Sequence, residues 1–186
     1  MRTAGWLKTQ KAGLFLYIAG VALLLVYALG FLTNVYLFYA YGDNTLADFY
    51  RVMQQMNNIL LWGAMSSCIF TVVLFALELH VHAAGVITLV IVLLVSALTA
   101  GFTVVVFSEL IRIKAWYTGL DFSSLDRYIE RGTITYTFST ITYDTGIVLC
   151  VVFFTTALFL AGIVIRNAVT VVEEAGNTGE TPYETI

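Results

Sequence analysis

Four long apolar runs dominate the chain, and the polar residues collect between them rather than within them. The runs cover about 12–36, 59–79, 83–107 and 146–165. Each reaches the roughly 20 residues that an α-helix needs to cross about 30 Å of hydrocarbon. None alternates polar with apolar residues as a lipid-facing barrel strand does, so helices are predicted. Pro182 is the single proline and lies beyond all four runs, so no proline kinks them. A basic lead, MRTAGWLKTQK, precedes the first run. That run is too long for a signal h-region and no small-x-small site closes it, so it reads as a retained helix.

The segments between the first and second runs, and between the third and fourth, share a pattern. FYAYGDNTLADFY (38–50) lies over WYTGLDFSSLDRY (116–128) at an offset of 78. Tyr39 falls on Tyr117, Asp43 on Asp121, Asp48 on Asp126 and Tyr50 on Tyr128. This spacing predicts a duplicated helical hairpin: helices one and two form one copy and helices three and four the other. Each copy holds two spans, so the repeats run parallel about an axis near the membrane normal. Aromatics gather at headgroup level, and Asp, Asn, Ser or Thr caps the short helix expected to begin there. Asp43, Asn44 or Thr45 caps the first such helix, and Ser123 or Ser124 the second. In LADFYRVMQQM, Leu46, Phe49, Tyr50 and Met53 share one face, which predicts a short amphipathic helix at the surface. TITYTFSTITY (133–143), present in the second copy alone, alternates Thr or Ser with Ile, Tyr and Phe. That period predicts an extended strand with a slip near residues 139–140, in need of an edge to pair with.

Composition supports the membrane reading. The chain is 60% hydrophobic and 11% charged, with a mean hydropathy of +0.88, whereas a soluble domain carries about 25% charged residues. Nine Lys and Arg against twelve Asp and Glu leave no basic stripe for nucleic acid. Cys68 and Cys150 sit in apolar runs, as buried thiols do. Arg2, Lys8 and Lys11 precede the first helix and Arg166 follows the fourth, favouring cytoplasmic termini. Arg51, Arg112, Lys114, Arg127 and Arg131 on the other side weigh against this, and the amino-terminal cluster decides. The fold expected is an all-α integral membrane protein: a four-helix domain over 1–172, with structured exoplasmic loops at 37–58 and 108–145. An acidic, disordered tail is expected over 173–186.

Residues with chemistry are sparse. ELHVH holds Glu78, His80 and His82, the last two being the only histidines, and a zinc site needs three or four ligands. A polar turn without metal or haem is expected there. Glu109 ends the third run with Arg112 three residues on, an interfacial pair rather than an ion relay. Asn34, Thr99 and Thr103 are placed to make interhelical hydrogen bonds, and Gly20, Gly30, Ser96, Ala100 and Gly101 to let helices approach. No nucleophile or cofactor-binding pattern is present, so catalysis is not expected.

These readings lead to a non-catalytic membrane subunit that docks on a larger membrane complex, or on copies of itself, through its exoplasmic loops. Ile134, Tyr136 and Phe138 of the insert, with Phe49, Tyr50 and Tyr128, are the candidate docking residues. The alternative is a small oligomeric transporter or channel built from the duplicated hairpin, supported by the parallel repeat and by Glu109.

Overall fold

Hydrocarbon cannot satisfy a backbone N–H or C=O, so an apolar run of this length folds into a helix that pairs its own polar groups. The computed structural model describes residues 3–33, 35–80 and 86–178. Among these there are six helices and no strand. They are α1 (Thr3–Gly30), α2 (Tyr36–Tyr41), α3 (Asn44–His80), α4 (Val86–Thr118), α5 (Ser123–Glu130) and α6 (Ile141–Thr178). Four of them, α1, α3, α4 and α6, are long and apolar enough to cross a bilayer. The all-α, four-span, multi-pass membrane architecture expected from the hydropathy pattern is the one observed.

The spans form a square bundle. α1 packs beside α3 and α6, and α4 beside α6 and α3. The connectivity makes each neighbouring pair antiparallel. Each helix buries a stripe at the 3.6-residue period: Tyr17, Val21, Leu24 and Ala28 on α1, and Val92, Val95, Thr99, Val106, Leu110 and Ile113 on α4. The outer surface is equally apolar, with Phe15, Val26, Trp62, Ile69, Val72 and Val148 all exposed. Outward-facing groups of this kind suit lipid.

α1 and α4 stand on a diagonal, and one side chain joins them. The Tyr17 hydroxyl lies 3.1 Å from the Thr99 hydroxyl in the buried interior, and the Tyr17 ring packs on Phe153 of α6. Thr99 therefore makes the interhelical bond expected of it. Thr103 instead donates to the Thr99 carbonyl of its own helix. Of the small residues, Gly20 closely faces the Phe153 ring, while a Cβ added at Gly30 or Gly101 would meet nothing within 4 Å. Asn34 lies outside the described residues.

Several boundaries differ from those the hydropathy predicts. The first span ends at Gly30 rather than near 36, because the Thr33 N–H and hydroxyl both turn back onto the Gly30 carbonyl (3.2 and 2.7 Å). LADFYRVMQQM is no separate surface helix. It is the start of α3, and its buried stripe of Leu46, Phe49 and Met53 continues as Met56, Leu60 and Ala64 into the membrane segment. α4 likewise runs on to Thr118. Much of the expected loops 37–58 and 108–145 is thus helix extending past the apolar runs. α6 continues through Thr178, into the segment expected to be disordered. No proline precedes Pro182, and a helix once nucleated extends cheaply through Ala, Val and Glu. Residues 179–186 lie outside the described part.

α1 and α6 meet closely where Tyr27 passes Gly146. The Tyr27 hydroxyl donates to the Thr142 carbonyl at 3.0 Å, and a Cβ added at Gly146 would overlap that phenol and crowd Leu110. Gly146→Ala is expected to destabilise the bundle by about 1–3 kcal/mol, the usual cost of overpacking. Thermal unfolding in mild detergent measures the loss, and adding Tyr27→Phe recovers part of it.

Candidate functional site

The extensions of α3 and α4 rise from the same end of the bundle as α2, α5 and residues 131–140, and together they build an aromatic cap. Phe38 of α2 is its centre, fully buried. Around it stand Tyr136 (ring centroids 5.3 Å apart), Phe122 (5.7 Å), Phe49 (5.9 Å) and Tyr117 (6.4 Å, stacked). The cluster extends from Phe49 to Trp116, from Tyr117 to Tyr143, and from Phe122 to Phe138. Most of these pairs are tilted or edge-to-face, the geometry the ring quadrupole favours, each adding about 0.5–1.5 kcal/mol beyond area burial.

Hydrogen bonds fasten the 131–140 segment to this cluster in place of a β ladder. The Tyr117 and Tyr136 hydroxyls lie 2.8 Å apart, and the Ser139 N–H donates to the Tyr117 oxygen at 3.3 Å. Gly132, at φ 67°, turns the chain out of α5 in a conformation that disfavours other residues, and the Thr133 N–H returns to the Tyr128 carbonyl at 2.9 Å. The expected strand is therefore not formed. The alternation is real, but it directs Ile134 and Tyr136 inward onto the helix ends instead of presenting an edge.

The two stretches that share the spaced Tyr and Asp pattern meet here. The Asp43 N–H donates to Ser124 Oγ at 3.3 Å, Tyr41 contacts Tyr128 at 5.1 Å, and α2 packs against α5. Each first aspartate serves a helix start. Asp43 Oδ1 accepts from the Leu46 N–H (2.9 Å) at the head of α3, and Asp121 Oδ1 accepts from the Ser123 N–H (2.9 Å) at the head of α5. The Ser123 N–H, and then its hydroxyl, hold the Asp121 carboxyl below the usual carboxylate range. Ser123 and Ser124 are not the caps of α5: its N-cap position is Phe122, which has no side-chain cap bond, and Ser124 bridges to Asp43. Asp48 pairs with Arg51 at 2.9 Å on the surface, and Asp126 lies in the first turn of α5. Burial does not follow the spacing of 78. Tyr39 is exposed and packs on Tyr50 (5.6 Å) while Tyr117 is buried. Phe38 with Tyr117, and Leu46 with Leu125, are the pairs that share a buried environment, one residue further apart.

The candidate docking residues divide accordingly. Phe49 and Ile134 are buried, and Tyr50, Tyr128 and Tyr136 are packed partly against the core, so these five do not form a free apolar patch. Phe138 remains 49% exposed. Of the ionisable residues, Glu109 accepts a hydrogen bond from Arg112 on the outer side of α4, three residues on as expected. One pair was hidden from the sequence: Lys114 Nζ donates to Asp144 Oδ1 at 2.5 Å across the α4/α6 seam, and Thr140 Oγ1 donates to Asp144 Oδ2 at 2.8 Å. Thirty residues separate the partners, and only folding the two helices antiparallel puts them at one height. The turn at 81–85, with His82, and the side chains of Glu78 and His80 lie outside the described part. Among the described residues, no three His, Cys, Asp or Glu gather as a metal site. No protein-family model, curated protein or solved structure matches this chain.

The Tyr117–Tyr136 pair is open to direct test. Tyr136→Phe is expected to cost about 1 kcal/mol, the net worth of one hydrogen bond. Combined with Tyr117→Phe it should cost less than the two single changes added, since each alone strands the other hydroxyl. Unfolding followed by near-ultraviolet circular dichroism measures this coupling.

A pH signature accompanies it. Burial first, then the hydrogen bond to Tyr117, raises the Tyr136 phenol above its ordinary value. Below pH about 10 both states hold the proton and the contribution is intact; above it the unfolded chain releases the proton first, so stability falls as pH rises. Denaturation between pH 8 and about 11 should show this decline, shallower in Tyr136→Phe.

Proposed function

We propose that this protein is a non-catalytic membrane subunit that docks on a larger membrane complex through the rim of its aromatic cap, with the termini cytoplasmic and the cap exoplasmic. The observation that carries the reading is how the cap is built. A packed frame of rings, pinned by the Tyr117–Tyr136 contact, leaves Phe138, Tyr39 and Tyr36 exposed at its edge. Aromatic anchors on a preorganised support lose little conformational entropy on binding, which is why such residues dominate the energetics of protein interfaces. The docking surface is accordingly narrower than the alternation of the insert implied. Phe138 carries it, Tyr39 and Tyr36 join it, and Ile134 and Phe49 act from inside as support. Glu109, on which a transport role would rest, faces Arg112 outside the bundle interior, so the subunit reading is preferred to a transporter.

The test compares Tyr39→Ala/Phe138→Ala with the parent in mild detergent. Both side chains lie largely outside the core, so insertion should be unchanged, and thermal stability should fall only by the modest worth of the Phe138–Phe122 and Tyr39–Tyr50 ring contacts. Association with co-purifying membrane proteins, or with a second copy, should weaken about thirtyfold, equivalent to losing an anchor of about 2 kcal/mol. Undiminished association would remove the docking role.

Orientation is checked separately through Thr45, which is exposed beside the cap. Thr45→Cys should react with an impermeant thiol reagent on intact cells. Reaction only after lysis would put the cap in the cytoplasm.

A further inference from the structure

On the outer side of the α4/α6 seam lies a groove of about 180 Å³. Thr103, Val104 and Phe107 line it from α4, and Cys150, Val151 and Phe154 from α6. Thr103 and Cys150 form a buried floor, and Val104 and Val151 stand exposed beside it. The Thr103 hydroxyl is already bonded to the Thr99 carbonyl, so the recess is apolar. It lies within two membrane spans, where acyl chains are the surrounding solvent.

Charge stands above it on the same seam. On α4, Phe107, Ile111 and Lys114 follow at i, i+4 and i+7, placing Lys114 about 10 Å further along the helix. There Lys114 meets Asp144, and their side chains remain 35% and 47% exposed. The headgroup layer of a bilayer begins where the hydrocarbon ends and is about 5–8 Å deep on each side, so this pair falls at headgroup height when the groove lies in the hydrocarbon. Lys114 has three N–H donors and gives one to Asp144; each Asp144 oxygen accepts one protein hydrogen bond and has a second lone pair. Both partners thus keep capacity for a ligand that carries a negative and a positive group together.

We infer that this seam holds one phospholipid of the surrounding bilayer, of the phosphatidylethanolamine class. An acyl chain fills the groove, the phosphate accepts from Lys114 Nζ, and the primary ammonium donates to Asp144. The chemistry discriminates among headgroups. A choline head has a quaternary ammonium with no N–H to give, and a glycerol head has no cation. This site stands independently of the docking role of the cap.

The experiment uses the full chain, delipidated in mild detergent and incubated separately with palmitoyl-oleoyl phosphatidylethanolamine, phosphatidylcholine or phosphatidylglycerol. Native mass spectrometry reads the bound lipid. The ethanolamine lipid is expected to be retained about tenfold better than the other two, the factor for losing one charge-assisted hydrogen bond. Asp144→Asn should abolish that preference over the choline lipid, and Lys114→Gln should weaken all three. Val104→Trp fills the recess from an exposed position and should remove the bound lipid. Val151→Trp does the same from the facing helix should the first variant fail to fold. Equal retention of the three lipids, preference for the glycerol lipid, or undiminished binding in whichever tryptophan variant folds would overturn the assignment.

Discussion

A bilayer interior offers no partner for a peptide N–H or C=O, and that constraint orders the rest of this molecule. It makes each apolar run a helix, and it favours two arrangements for the polar side chains within the spans. They bond back to their own helix, as Ser67, Thr71, Thr103 and Thr156 do, or they meet across the bundle, as Tyr17 and Thr99 do. The second way is what joins the diagonal helices. Lipid is as apolar as leucine and does not drive helices together, so packing detail carries the association. The close passages of Tyr27 by Gly146 and of Phe153 by Gly20 supply it.

Beyond the hydrocarbon the same helices continue, and their chemistry changes. α3 is 37 residues long and α4 is 33, about 55 and 50 Å at the α-helical rise, well past the thickness of the apolar layer. The surplus on one end is roofed by α2, α5 and the 131–140 segment. Because the buried stripe of α3 passes unbroken from Leu46 to Ala64, cap and bundle share one core. A change at Phe38 or Tyr117 should therefore be felt in the membrane segment, and the exposed ring of Phe138 is presented from a firm base.

The charges sort by height. Arg51 with Asp48, Arg112 with Glu109, and Lys114 with Asp144 all lie on the capped end. The first two are local, three residues apart and largely exposed, and contribute little to stability. The third joins two helices at the seam above the apolar groove, and Asp144 also sits in the first turn of α6, where the helix dipole favours an anion. Its position, more than its strength, gives it a role.

By itself the sequence determined the solvent and the class. Runs of 20 or more apolar residues have one stable form in hydrocarbon, so four helices were legible without any tertiary information, as were the amphipathic face of Leu46, Phe49 and Met53 and the local Glu109–Arg112 pair. Those signals depend on neighbours within a few turns. What only the tertiary structure decided depends on partners far apart in the chain. Alternation in TITYTFSTITY indicates an extended segment, but whether it pairs as a strand or inserts Ile134 and Tyr136 into a cluster depends on what the helix ends offer, and they offer rings. The spacing of 78 aligned two stretches of similar residues, yet burial follows a register one residue off, because packing selects Phe38 and Tyr117 for the interior regardless of which tyrosines align. Lys114 and Asp144 carry no mark of each other in the sequence. The antiparallel packing of α4 on α6 brings them together, and that packing exists only in the folded bundle.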